Sequence, residues 1–322
     1  MSSEIRNFIE THYRHFNAAA LREAATAYCR HLDDGGIMFM TLAGAMSTAE
    51  LGISLAEMIR QDKVSAISCT GANLEEDLFN AVAHNHYKRI PNYRDLTPQD
   101  EKDLYDKGVN RVTDTCIPEH EAMRLVERFA IKYWLEAYEK KQSFFPHEYL
   151  YKVILDPEFQ NLFHIPLEHS WMLAAAKRNL PLYVPGWEDS TLGNFFVSQK
   201  MENKNSFDII KSGLEYFEHL GYWYQEAVKN KSVGFFQIGG GIAGDFPICV
   251  LPLLNEDLKL GVPTWGYFCQ ITDAQESYGG YSGALPNEKI SWGKLGVSTP
   301  KHVIHSDASI VAPLIFAYIL AI

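Results

Sequence analysis

Lys294 is the residue of this chain whose type and setting best suit covalent chemistry. It closes the run Ser291-Trp292-Gly293-Lys294-Leu295, which follows the glycine-rich stretch Glu276-Ser277-Tyr278-Gly279-Gly280-Tyr281-Ser282-Gly283-Ala284 and the acid Glu288. Lysine in water is protonated and hydrated, and becomes an imine-forming nucleophile only where burial or a neighbouring cation lowers its proton affinity. Trp292 could supply a dry wall, and its π face attracts an ammonium. Without such surroundings a lysine after a turn is an ordinary solvated side chain.

Other constellations lie further back. Gly239, Gly241 and Gly244 fit G-x-G-x-x-G after an apolar run, a spacing that lets backbone N–H groups approach a pyrophosphate at a helix start. Asp257, about 20 residues on, is a poor match for the acid that should accompany it. Two more small-residue loops, around Gly44 and Gly71, follow apolar runs, and three such loops favour a nucleotide more than any one alone. Glu75, Glu76 and Asp77 sit where a helix is expected to open, and helix capping would account for them; Glu76 could also meet a ribose hydroxyl or a substrate ammonium. Asp189 and Asp307 are read as turn or cap residues that could face the same crevice. His84-x-His86 and Glu168-His169 lack further ligands at useful spacing, so no metal site is expected. Neither a G-x-S-x-G elbow nor an H-E-x-x-H pair is present.

The elements that must position these residues alternate. Apolar spacing predicts two helices over 4–32. A turn at 33–36 leads to a buried strand, Ile37 to Leu42, then a small-residue loop and a helix through Leu51, Leu55, Met58 and Ile59. A second strand, Val64 to Cys69, is followed by Thr70-Gly71-Ala72-Asn73 and another helix. The stretch from about 92 to 120 is polar and interrupted by prolines, and reads as an excursion outside the core. Helices are expected over 119–141, 147–154 and 167–179, a strand at 182–184, a helix over 209–229, and strands at 233–238 and 265–271. The apolar run Ile310 to Ile322 is too short for a membrane span and contains Pro313, so a buried closing helix is expected. This pattern predicts one α/β domain, a doubly wound, mostly parallel sheet flanked by helices, with ligands beyond the carboxyl ends of the strands.

The 322 residues carry a formal charge of -11 with 47% hydrophobic residues. Net acidity argues against a nucleic-acid surface and suits cationic substrates. Five scattered cysteines, without a C-x-x-C pair, point to reduced thiols. The first residues show no apolar leader, and a soluble cytoplasmic protein is expected.

From about Thr11 onward the chain resembles the deoxyhypusine synthase family. The likeness rests on Ala274-Gln275-Glu276, Ser282-Gly283-Ala284, Glu288, Ser291-Trp292-Gly293-Lys294, and Thr70 with Glu75-Glu76-Asp77. It implies a Rossmann-like NAD-binding core, a homotetramer with active sites at the dimer interface, and transfer of an aminobutyl group from a polyamine through an imine on Lys294. It further implies that Glu288, Trp292 and Lys294 form the amine site, and Glu288 and Asp245 are expected to neutralise the ammonium groups of the bound amine. Cofactor contacts would come from Gly44, Ala45, Met46, Ser47 and Thr48, from Thr70, Gly71, Ala72 and Glu76, and from Asp189, Gly240, Asp273, Ala274, Asp307 and Ala308. Three positions depart from the family pattern: Asn194 and Tyr281 replace aspartates, and Asp245 replaces a histidine. These changes should shift which amine binds, so the branch whose acceptor is a small amine fits better than true deoxyhypusine synthesis on a protein lysine. An NAD-dependent amine dehydrogenase and a non-catalytic NAD-binding oligomer are the rival expectations.

Overall fold

A computed structural model describes residues 4–203, 208–276 and 279–321. Ser277 and Tyr278 of the glycine-rich stretch lie outside the described residues. Among these, nine strands form two sheets: β1 (Ile37–Leu42), β2 (Ala66–Cys69), β3 (Lys88–Arg89), β4 (Val109–Val112), β5 (Thr115–Pro118), β6 (Leu182–Tyr183), β7 (Val233–Ile238), β8 (Tyr267–Thr272) and β9 (Lys301–His305). The larger sheet has the order β6-β2-β1-β7-β8-β9, and every pairing in it is parallel. Counted along the chain, that is third, second, first, fourth, fifth and sixth strand, the doubly wound order, with its switch point between β1 and β7. The predicted architecture is the one observed.

The strands read as near-continuous apolar runs because both faces of the sheet are covered. On one face Phe39, Phe235 and Phe268, aligned by register, stack across β1, β7 and β8 at 5.8 and 6.0 Å, with Trp265 against Phe235 at 4.8 Å. On the other, Phe236 meets Tyr28 of the helix Phe16–Asp33 and Phe316 of the closing helix Ala308–Leu320. The closing helix is buried as expected, and Tyr318 ties it to Thr26 at 2.9 Å. Among the described residues no helix is long and apolar enough to cross a membrane, and all five cysteines are free thiols.

Two local expectations change. The helix after β2 is Gly71–Ala83, capped by Thr70 Oγ1, which accepts from Asn73 N at 3.2 Å. The three acids therefore lie a full turn inside the helix and are buried, so capping of their own helix does not explain them. The excursion is also less peripheral than its composition suggests. Its hairpin β4-β5, with β3, forms the small antiparallel sheet, and Cys116, Ile117 and Pro118 are buried, Ile117 in the main apolar cluster. Polar residues dominate that segment, yet β5 is buried on both faces from Cys116 to Pro118.

Candidate functional site

Lys294 is 7% exposed. Its Nζ donates to Asp245 Oδ1 at 3.2 Å and lies 5.7 Å from the Trp292 ring centroid and 6.0 Å from that of Tyr281. Asp245 comes from the short helix Gly241–Ile248 after β7, whereas Lys294 is carried by the long connection between β8 and β9. The Cys249 thiol, one turn after Asp245, reaches the same carboxylate at 3.5 Å, and burial pushes its proton affinity up. Sequence reasoning assigned the dry wall to Trp292. The structure leaves Trp292 62% exposed, so much of the shielding comes from Tyr281 and the surrounding backbone. Asp245, expected to meet a substrate ammonium, is engaged by Lys294 and keeps its side chain 46% exposed.

Tyr281 is held firmly. Its hydroxyl donates to Gln237 Oε1 at 2.7 Å, and Gln237 Nε2 donates to the Gly239 carbonyl at 2.9 Å. Gln270, paired with Gln237 in register, donates to Gly239 O and Ser282 O at 3.0 and 2.9 Å. These two buried glutamines fix the turn that carries Tyr281. They were legible only as polar interruptions in apolar strands.

The loops after β1 and β2 lie at the same carboxyl edge of the sheet as the turn after β7, with Ala43 against Gly239. Asn73 Nδ2 donates to the carbonyls of Leu42, Ala43 and Gly44, the last at 2.8 Å, while its Oδ1 accepts from Ser47 N at 3.0 Å. The Ser47 hydroxyl is committed to Asn73 O at 2.6 Å and accepts from Trp171 Nε1 at 3.0 Å. Asn73, which sequence reasoning passed over, thus shapes the loop from Gly44 to Thr48. Gly44 adopts φ +64 with almost no atom near its absent Cβ, leaving its backbone open to a ligand.

The three buried acids divide by partner. Glu75 accepts from the N–H groups of Thr191 and Leu192 at 2.9 and 2.8 Å, capping the helix Thr191–Asn203. Asp77 accepts from Ser170 Oγ at 2.5 Å and Met172 N at 3.2 Å, at the start of Trp171–Lys177. Each therefore anchors another element. Glu76 differs: it is 6% exposed, and neither its Oε2 nor the hydroxyl of Thr48 has a hydrogen-bond partner. Burial, with the charge of Glu75 adding to it, pushes the Glu76 carboxyl up to about 7. An orphaned buried acceptor and an orphaned hydroxyl in a crevice at strand ends are a fit for a ribose hydroxyl.

The remaining predicted residues sit on loops at the same edge of the sheet. Gly71 packs against Ser190, and Asp189 and Asn194 are exposed on the loop after β6 and the helix it leads to. Asp273 is exposed after β8, Ala274 N donates to Thr272 Oγ1, and Asp307 caps the closing helix through Ser309 N at 2.8 Å. Ala45, Met46, Ala72, Gly240 and Ala308 accompany them, and Glu288 is exposed at the start of the single-turn helix that precedes the lysine. The G-x-G-x-x-G geometry is corrected. Gly241 N donates to Ser282 Oγ at 3.1 Å, and a Cβ on Gly240 would lie 2.7 Å from Ser282 Cα, so protein atoms occupy the space a pyrophosphate would need. Gly244 instead lets the helix close onto Gln237 and Tyr281. His84 bonds Asn80 and faces Glu50, and among the described residues no three ligand-type side chains gather for a metal.

The strand order and a crevice of this kind define the doubly wound α/β class that holds nucleotides at the carboxyl ends of its strands. The deoxyhypusine synthase family model matches residues 8–319. The chain belongs to that family, which supports a transferase of the deoxyhypusine synthase type, NAD-dependent aminobutyl transfer being the activity known at the level of the family. A deoxyhypusine synthase-like protein of Nostoc sp. is 28% identical over 329 residues, covering 99% of this chain and 82% of the relative. The protein named Probable deoxyhypusine synthase 1 of Archaeoglobus fulgidus is 28% identical over 306 residues, covering 95% and 90%. A solved structure of a candidate deoxyhypusine synthase from Entamoeba histolytica superposes with a TM-score of 0.60 at 12% identity, over 95% of this chain and 89% of that one, a likeness of fold.

Proposed function

We propose that this protein moves an aminoalkyl group of the aminobutyl type from a polyamine donor to a small amine acceptor through an imine on Lys294. The observation that carries this reading is the buried amine of Lys294 held 3.2 Å from the Asp245 carboxylate, which the helix after β7 carries. Glu76 and Thr48 would hold a ribose of NAD, with the open backbone at Gly44 nearby. When bound, NAD supplies a hydride acceptor for the donor carbon and returns the hydride at the end.

Asp245 is the nearest base to Lys294, and it takes the proton that the ammonium must lose before its lone pair can attack. The neutral amine adds to the oxidised donor carbon, the carbon–nitrogen bond to the leaving amine breaks, and that amine departs with a proton. Tyr281 and Trp292 keep water from the resulting imine. The acceptor amine then attacks the same carbon and releases Lys294. Glu288, exposed on the turn before the lysine, would meet a distal ammonium. With Asn194 and Tyr281 offering no carboxylate, a short diamine acceptor fits better than a protein lysine. The exposed face of Trp292 suits coverage by a second subunit, in keeping with a homotetramer whose active sites lie at the dimer interface.

The test is to incubate purified protein with NAD and labelled spermidine or putrescine, reduce with borohydride, and map the adduct by mass spectrometry. Label is expected on Lys294 and absent in Lys294→Arg. Full transfer activity in Lys294→Arg would overturn the proposal, and release of a free aldehyde with no adduct would instead favour an amine dehydrogenase.

A further inference from the structure

A cavity of about 610 Å³ lies across the sheet from Lys294, within the size range of small-molecule sites. It opens between the outer flank of the helix Phe16–Asp33 and the amino ends of β8 and β9, at Tyr267 and His302, the edge opposite the cofactor loops. Tyr267 and Phe268 are consecutive in β8 and point to opposite faces. Phe268 holds the Lys289 ammonium 5.2 Å from its ring centroid on the side of Tyr281 and Lys294, whereas Tyr267 packs on Tyr28 at 5.9 Å on the cavity side. The cavity shares no residue with the site described above. Helical spacing sets Arg22, Thr26 and Arg30 in one row along its wall, with Glu23 and Asp34 beside them. Among the described residues none of these four charged groups forms an ion pair, although Arg30 and Asp34 stand only four residues apart. Glu10, from the first helix Glu4–His12, is fixed at the same wall: the Tyr318 hydroxyl donates to its carboxylate and shares a hydrogen bond of 2.9 Å with Thr26 Oγ1.

The charges of this wall select a ligand class. Burial pushes both of its histidines, His31 and His302, below their ordinary range, so neither is charged at pH 7. Arg22 and Arg30 against Glu10, Glu23 and Asp34 then leave the lining one net negative charge. Those charges are also sorted along the helix. Opposite signs balance at Arg30 and Asp34, while the surplus acid, Glu10 and Glu23 with Arg22, begins beside Thr26, about 6 Å away by the helical rise of four residues. A simple diamine would leave the arginines unanswered, and a dicarboxylate would face three acids. The molecule that answers both signs carries a carboxylate and an ammonium at one end, a second cation at the other, and one net positive charge. We propose that this cavity is a second ligand site and that it takes a basic α-amino acid, its carboxylate on Arg30, its α-ammonium on Asp34 and its side-chain cation between Glu10 and Glu23. Arginine suits the first role because its guanidinium presents a fork that matches a carboxylate. The ligand is chemically close to the amines of the Lys294 site, yet it is recognised by the one group they lack.

The experiment is calorimetric titration of the full chain, without NAD, with L-ornithine, with putrescine, which lacks the carboxylate, and with L-norvaline, which lacks the side-chain ammonium. Ornithine is expected to saturate one site per chain, and each analogue to bind at least tenfold more weakly, the loss that follows from removing one charge-assisted contact. Arg30→Met should weaken ornithine tenfold to a hundredfold and leave putrescine unchanged, whereas the double variant Glu10→Gln, Glu23→Gln should weaken ornithine to a similar degree and leave norvaline unchanged. Arg30, Glu10 and Glu23 are exposed, so these variants should keep the wild-type melting temperature. Ornithine binding no tighter than that of its analogues overturns the proposal. So does binding that none of the variants alters, which would place the amino acid elsewhere in the molecule. A change in subunit number by light scattering in the same variants overturns it too, since the wall would then be a contact between copies of the chain. None of these readings involves Lys294, so the transfer reaction and this site stand or fall separately.

Discussion

Glu76→Gln separates the cost of the site from its use. The carboxyl is 6% exposed with one oxygen unpaired, and burial raises it from 4.5 to about 7. Between those two values the folded chain keeps a proton that the unfolded chain has lost, so this group's stabilising contribution is complete below about pH 4.5 and is lost as pH rises through 7. At about 1.4 kcal/mol per pH unit, the ionised carboxylate costs the folded state roughly 3 kcal/mol. Glutamine keeps the shape and removes the titration. In urea denaturation the variant should match wild type at pH 4.5 and exceed it by up to about 3 kcal/mol at pH 8. Calorimetric titration with NAD should move the opposite way. A ribose hydroxyl donating to a carboxylate is worth roughly 1.5 to 3 kcal/mol, so affinity should fall about tenfold to a hundredfold. Equal stability differences at the two pH values would refute the electrostatic argument, and unchanged NAD affinity would refute the assignment of Glu76 to the cofactor.

Asn73→Ala removes the donor to three carbonyls and the acceptor for Ser47 N; it should cost about 2 to 4 kcal/mol in denaturation and weaken NAD binding, while alkylation of Lys294 by a small aldehyde stays at the wild-type rate. Tyr281→Phe leaves Gln237 Oε1 without its donor and should cost about 1 to 2 kcal/mol with little change at Lys294. Tyr281→Ala also opens the wall beside the lysine, and hydrolysis of the trapped intermediate, followed as free aldehyde, should rise.

Much of the architecture was readable because apolar runs of strand length alternated with helical spacing. β1 and β7 emerge with the bounds their residues suggested, since buried parallel strands must be continuously apolar. The burial of Cys116 to Pro118 was not readable, because a three-residue apolar run among polar and proline-broken sequence is too short to signal a buried strand. Nor could spacing assign Glu75, Glu76 and Asp77. Consecutive helical residues point about 100° apart, so each faces different surroundings, and the partners of Glu75 and Asp77 lie 116 and 93 residues away in the chain.

By itself the sequence determined the alternating elements, the small-residue loops at strand ends, and the run that carries Lys294, because periodicity and turn chemistry are local properties. Tertiary structure alone decided which acid stayed unpaired, that Asp245 meets Lys294, that Ser282 packs against the glycine turn, and that Lys289 is buried. Proton affinity and ligand space depend on what surrounds an atom in three dimensions, and here those surroundings come from loops that only the parallel sheet brings to one edge.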